Sequence, residues 1–128
     1  MTYTDIIEYF KSVFPEFENF YVFKRDDNKE KSLTAYRINS VAVENQLGGN
    51  IHKSMGCQIQ LVYTNSALSS EKKIRELCAF IATTKTEIKQ INNIEFYIVP
   101  KNSDEDFFYF GTVGNGCFYY GIDLLIYY

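Results

Sequence analysis

Tryptophan is absent from this 128-residue chain; histidine occurs once, proline and methionine twice each, and cysteine three times. Each scarcity closes off a class of function. His52 with Cys57, Cys78 and Cys117 at wide spacing offers no C-x-x-C pair and no zinc ligand set. Free, buried thiols in a reducing compartment are expected instead. No apolar run approaches the ~18 residues of a spanning helix, so no membrane association is expected. Asp5, Glu8 and Lys11 interrupt the apolar pattern of the first fourteen residues, which excludes a secretory signal there. There is no basic excess either: 13 Lys and Arg against 16 Asp and Glu give a net charge of −3. Lys24-Arg25, Lys72-Lys73-Arg75 and Lys101 are dispersed among acids, unlike the clustered basic face of a nucleic-acid-binding domain.

Aromatic residues are what the chain has in surplus. Eleven Phe and eleven Tyr make up 17% of it, a composition suited to sheet faces and protein interfaces. The length fits one domain with a true core, without linker, repeat or low-complexity segment, so residues 1–128 are read as a single unit.

Ile6, Ile7, Phe10, Val13 and Phe14 share one helix face, with Thr2 or Thr4 as cap, Asp5 at the positive end of the dipole and Pro15 as the stop. An aromatic run, Phe17 to Phe23, leads into the polar cluster from Lys24 to Lys29, read as a hairpin turn, with a return strand from about Ser32 to Glu44. Asn45 to Ser54, centred on Gly48-Gly49-Asn50, lacks any period and is expected to be a long flexible loop. Cys57, Ile59, Leu61 and Tyr63 alternate with Gln58 and Gln60, as in a strand with one face on the core. A second helix is expected from about Ser70 to Thr84, striped by Ile74, Leu77, Cys78 and Ile81. Ile94, Phe96 and Ile98 form a strand after the Asn92-Asn93 turn and before Pro100. Phe107–Thr112 and Cys117–Tyr128 flank Asn115-Gly116, a hairpin signal. The terminal strand is long and apolar, hazardous at an exposed edge, so something should cover it. The fold class that follows is α+β: a mostly antiparallel sheet with two amphipathic helices packed on one face.

Chemistry is hard to find in this pattern. Cys57 with His52 is the one pairing that suggests nucleophilic catalysis, yet Cys57 falls on the apolar face of its strand, which favours a buried thiol. Asp26-Asp27 and Asp104-Glu105-Asp106 lack the spacing of a calcium loop. Gly111, Gly114 and Gly116 precede a strand rather than a helix, so they read as turn glycines and not as a phosphate cradle. No catalytic residue, metal site or cofactor is expected. Tyr97, Tyr119 and Tyr127 are expected opposite the core faces of their strands, as cross-strand packing or as an assembly surface.

The element order and the C-terminal pattern resemble the tail terminator and minor capsid proteins of long-tailed bacteriophages. The residues that carry the resemblance are the strand Gln58–Tyr63, the Ser-capped helix Ser69–Ala82, the strand Ile94–Val99, and the ending from Phe110-Gly111 through Gly114-Asn115-Gly116 to Ile126-Tyr127-Tyr128. The N-terminal helix fits as well. The resemblance covers most of the chain but includes no catalytic motif. It implies a structural protein of the virion tail or neck, assembled in the host cytoplasm. Its partners would be itself in a ring, typically a hexamer, the tail tube protein and the head connector or stopper protein. DNA would pass through the lumen without specific binding, repelled by acidic residues. Candidate partner-binding residues are Gly48, Gly49, Asn50, His52 and Lys53 in the loop, with Tyr119 and Tyr127 on the sheet. Two rivals stand beside this reading. One is a small binding or immunity-type inhibitor protein acting through an acidic aromatic surface, and the other is an enzyme using Cys57 or an unseen carboxylate pair.

Overall fold

The computed structural model describes residues 1–39, 53–103 and 106–128. In chain order the elements are α1 (Tyr3–Val13), β1 (Asn19–Val22), β2 (Ser32–Ile38), β3 (Ser54–Val62), α2 (Ala67–Thr84), β4 (Lys89–Ile91), β5 (Ile94–Pro100), β6 (Phe108–Val113) and β7 (Cys117–Tyr127). The fold is α+β, with, among the described residues, two helices and a mixed, curled seven-stranded sheet in the order β1-β2-β3-β7-β5-β4, with β6 also on β7.

Local chemistry accounts for the helix ends. Thr2 caps α1 in a full capping box: its hydroxyl accepts from the Asp5 N–H, and the Asp5 carboxylate accepts from the Thr2 N–H. Ser66 caps α2 by accepting from the Ser69 N–H, so that helix starts three residues before the expected Ser70. Ile6, Ile7 and Phe10 from α1 and Ile74, Leu77, Cys78 and Ile81 from α2 join Leu33, Cys57, Ile59, Leu61, Phe96, Ile122, Leu124 and Ile126 in one buried core. The alternation expected from Cys57 to Leu61 is therefore present.

The strand order corrects one expectation, meets a second and adds a strand. The run before Ser32 does not form a hairpin with it. β1 lies parallel to β2, with Asn19 opposite Ser32 and Val22 opposite Ala35, so residues 23–31 carry the chain back along the sheet instead of turning it tightly. The terminal strand is covered, as its apolar sequence required. β7 is the centre of the sheet, paired with β3 from Tyr119 to Tyr127 on one side, and with β6 and then β5 on the other. Its long apolar sequence is what a strand buried on both sides carries. A strand before Asn92-Asn93 was not expected; Lys89–Ile91 pairs with Ile94–Phe96 across that turn, where both asparagines adopt positive φ (49° and 66°). β2 is seen to Ile38, and its expected continuation toward Glu44 lies outside the described residues. β3 already begins at Ser54, within the expected loop.

Candidate interaction surface

β7 alternates its side chains across the sheet. Tyr120, Ile122, Leu124 and Ile126 enter the core with the helices, and Tyr119, Gly121, Asp123, Leu125 and Tyr127 take the other face. That second face has a polar half and an apolar half. On the polar half a chain of hydrogen bonds runs across three elements. The Arg25 guanidinium donates to Gln60 Oε1, Gln60 Nε2 donates to Gln58 Oε1 (2.8 Å), and Gln58 Nε2 donates to Asp123 Oδ1 (2.8 Å). Arg25 also donates through Nε to Asp27 (2.6 Å) and lies 4.4 Å from the centre of the Tyr119 ring. An open groove of about 410 Å³ lies here, walled by Phe23, Arg25, Tyr36, Gln60, Phe110 and Tyr119. On the apolar half, Leu125 and Tyr127 pack with Tyr97 and Val99.

β6 lies against only the first part of β7. Among the described residues its other edge has no strand partner. Phe108, Tyr109 and Phe110 are 41%, 57% and 39% exposed. Phe108 and Phe110 stack on each other, and Phe110 reaches Tyr119, while Tyr109 packs on Phe118 and Tyr120. Register slips between Tyr109 and Gly111, a bulge at which Gly111 takes φ 117°. Beyond Tyr120 the aromatic strip meets α2, where the Arg75 guanidinium sits 5.1 Å from the Phe107 ring. An exposed edge strand with aromatic residues on both of its faces has the composition of a strand buried on both sides.

The expected site residues divide. Gly48, Gly49, Asn50 and His52 lie outside the described residues. Lys53 is exposed, and its backbone exchanges two hydrogen bonds with Tyr128, extending the β3–β7 ladder by one pair. Tyr119 is half-buried beneath Arg25. Tyr127 lies opposite the core at 7% exposure, packed against Tyr97 and Val99 of β5, which fits the cross-strand packing alternative. Arg25, Phe108 and Phe110 are not among the expected site residues. The aromatic triplet was legible as a run without polar alternation; Arg25 meets a residue 94 positions away, for which no local signal exists.

Cys57, Cys78 and Cys117 are buried, reduced thiols. Burial pushes the Cys57 thiol far above its ordinary range, so it does not present a thiolate at neutral pH. The described residues contain no group of three or more His, Cys, Asp or Glu placed to hold a metal ion. No helix among them is long and apolar enough to cross a membrane.

No protein-family model matches the chain, and no curated protein matches its sequence. A solved structure is similar at 13% sequence identity over 97% of this chain and 87% of that one, with a TM-score of 0.54. The likeness is one of fold. At this identity it carries no activity or partner across.

Proposed function

We propose that the chain is a structural component of a bacteriophage tail, a terminator that caps the finished tube as a ring and joins it to the head connector. The observation that carries this reading is β6: three consecutive exposed aromatics on a strand whose outer edge has no strand partner among the described residues. A monomer rarely leaves such a strip in water. A contact from this strip to a different surface of the next copy is heterologous, and it closes into a ring when the rotation completes a turn. In this reading the helices form one layer on one face of a mainly antiparallel sheet, and β6 projects at the side of that layer. The resemblance of the C-terminal pattern to tail terminators adds the ring's place, with tube on one side, connector on the other and DNA passing between. The buried, unactivated Cys57 fits a role without chemistry. The inhibitor alternative draws on the same aromatic strip but needs one foreign partner and no ring.

The deciding experiment is negative-stain imaging and light scattering of the purified protein, alone and with terminator-free tail tubes. Rings, or density at the tube end that disappears in Phe108→Ser/Tyr109→Ser, support the terminator. A protein that stays monomeric at high concentration and never joins a tube overturns it.

A further inference from the structure

The link between β1 and β2, residues 23–31, crosses the second face of the sheet. Arg25 reaches Gln60 and Tyr119, the Glu30 carboxylate lies 3.8 Å from Cys117 Sγ, and the Asp27 carbonyl fills the space beside Gly114 in the β6–β7 turn. Parallel strands are usually joined by a crossover of about a dozen residues or more, so this link is short and drawn over the sheet. Its first and last residues are both non-glycine residues in the left-handed region, Phe23 at φ 64° and Lys31 at φ 49°. Side chains other than glycine adopt that conformation at a cost, and it persists where surroundings impose it. Backbone bonds pin the same two residues: the Phe23 N–H donates to the Ala35 carbonyl (2.9 Å), and the Lys31 N–H to the Tyr63 carbonyl (2.8 Å). Between those pins, among the described residues, the link's backbone bonds only within its own Asp26–Lys29 turn and to the Asn19 side chain. Side chains alone hold its middle down.

The face that the link crosses carries buried polar groups. Ser32 and Thr34 are in register with Val62 and Gln60 and so share their face. Both hydroxyls are fully buried, with no hydrogen-bond partner among the described residues. Buried hydroxyls without partners are unfavourable under a cover that never moves, whereas water satisfies them each time a cover lifts. Cys117, 2% exposed, meets the Glu30 side chain of the same link.

We infer that residues Phe23–Lys31 form a hinged lid, latched by Arg25, that opens without unfolding of the core and uncovers the floor of Ser32, Thr34, Val62 and Cys117. This inference is independent of the tail assignment. The hinges are the two positive-φ residues, and the latch is the guanidinium held by Asp27, Gln60 and the Tyr119 ring. Closed, burial and the Glu30 carboxylate raise the Cys117 thiol above its ordinary pKa; open, both influences fall away.

Alkylation by iodoacetamide, read per cysteine by mass spectrometry, tests this. Cys57 is the internal reference, because it reacts only when the core opens. In the wild-type protein Cys117 should react at least about tenfold faster than Cys57, as local opening outruns global unfolding. Arg25→Ala should raise the Cys117 rate further and leave Cys57 unchanged. Equal rates at the two cysteines in the wild type overturn the lid. So does a folded Arg25→Ala protein whose Cys117 rate is unaltered. Should Arg25→Ala fail to fold, Asp27→Asn, which keeps the guanidinium over Tyr119, must give a smaller increase at Cys117 alone; no increase overturns the lid.

Discussion

The ring edge of Phe110 occupies the space in which a β-carbon on Gly121 would stand. Gly121 pairs with Phe108 across the β6–β7 ladder, and the missing side chain lets Phe110 lie against the sheet beside Tyr119. Gly121 does not hold a positive φ, so the close approach of the ring, and not backbone freedom, requires glycine. Gly121→Ala should therefore swing Phe110 outward at a stability cost of about 1 kcal/mol, because the displaced atoms are the far end of a rotatable side chain. Denaturant unfolding measures that cost, and loss of the Phe110–Tyr119 cross-peaks in an NMR spectrum reports the displacement. A variant with unchanged ring contacts contradicts the account.

Replacing Phe108 and Tyr109 together with serine should leave the monomer within about 1 kcal/mol of its original stability, since both side chains are largely outside the core. Under the proposed terminator role, self-association or tube binding should fall by at least tenfold in the same protein, since interface aromatics that act as anchors are each worth about 1–2 kcal/mol or more. Thermal unfolding and sedimentation on one preparation separate the two effects.

Gly56 faces the opposite situation. A β-carbon there would meet the backbone carbonyls of Ile38 (2.6 Å) and Asn39 (2.9 Å), which cannot rotate away. Its own carbonyl accepts the Tyr3 hydroxyl at 2.7 Å, tying α1 to the start of β3. Gly56→Ala should cost about 1–3 kcal/mol by forcing β2 and β3 apart. Tyr3→Phe, which keeps the ring and removes one hydrogen bond, should cost only about 0.5–1.5 kcal/mol. Urea unfolding of both variants checks the order.

Asp5 gives the fold a defined acid sensitivity. The Asn92 side-chain amide first, then the Thr2 backbone N–H, hold its carboxyl below the ordinary 3.8. A carboxyl depressed in the folded state contributes stability that is present above its unfolded value and is lost as pH falls through the folded one. Asn92 also donates to Glu8, so the pair links α1 to the β4–β5 turn. Asp5→Asn should lower stability at neutral pH by about 0.5–1 kcal/mol and flatten the stability curve below pH 3.8. Unfolding free energies between pH 2 and 7 test the slope, and a variant as acid-sensitive as the wild type would rule out this role.

Much of the secondary structure is written in the chain at short range. The Thr2–Asp5 capping box, the stripe from Ile6 to Phe14, the alternation from Cys57 to Leu61 and the two asparagines at 92 and 93 each act within a few residues, through the hydrogen bonds and periodicities of single elements. The sequence alone therefore determined an α+β fold, two amphipathic helices, most of the strands and buried cysteines. Strand partners were decided elsewhere. That β1 runs parallel to β2, and that β7 sits in the middle rather than at an edge, depends on pairings between segments as far apart as Ser54 and Tyr127. Propensity cannot encode such choices, because a buried apolar strand reads the same whichever neighbours it takes. The surface followed the same division. The aromatic run at 107–110 is visible by eye, but its exposure, the burial of Tyr127 and the place of Arg25 over Tyr119 exist only once the sheet has closed around β7. Tertiary structure decided them because burial belongs to the packed sheet and not to any one segment.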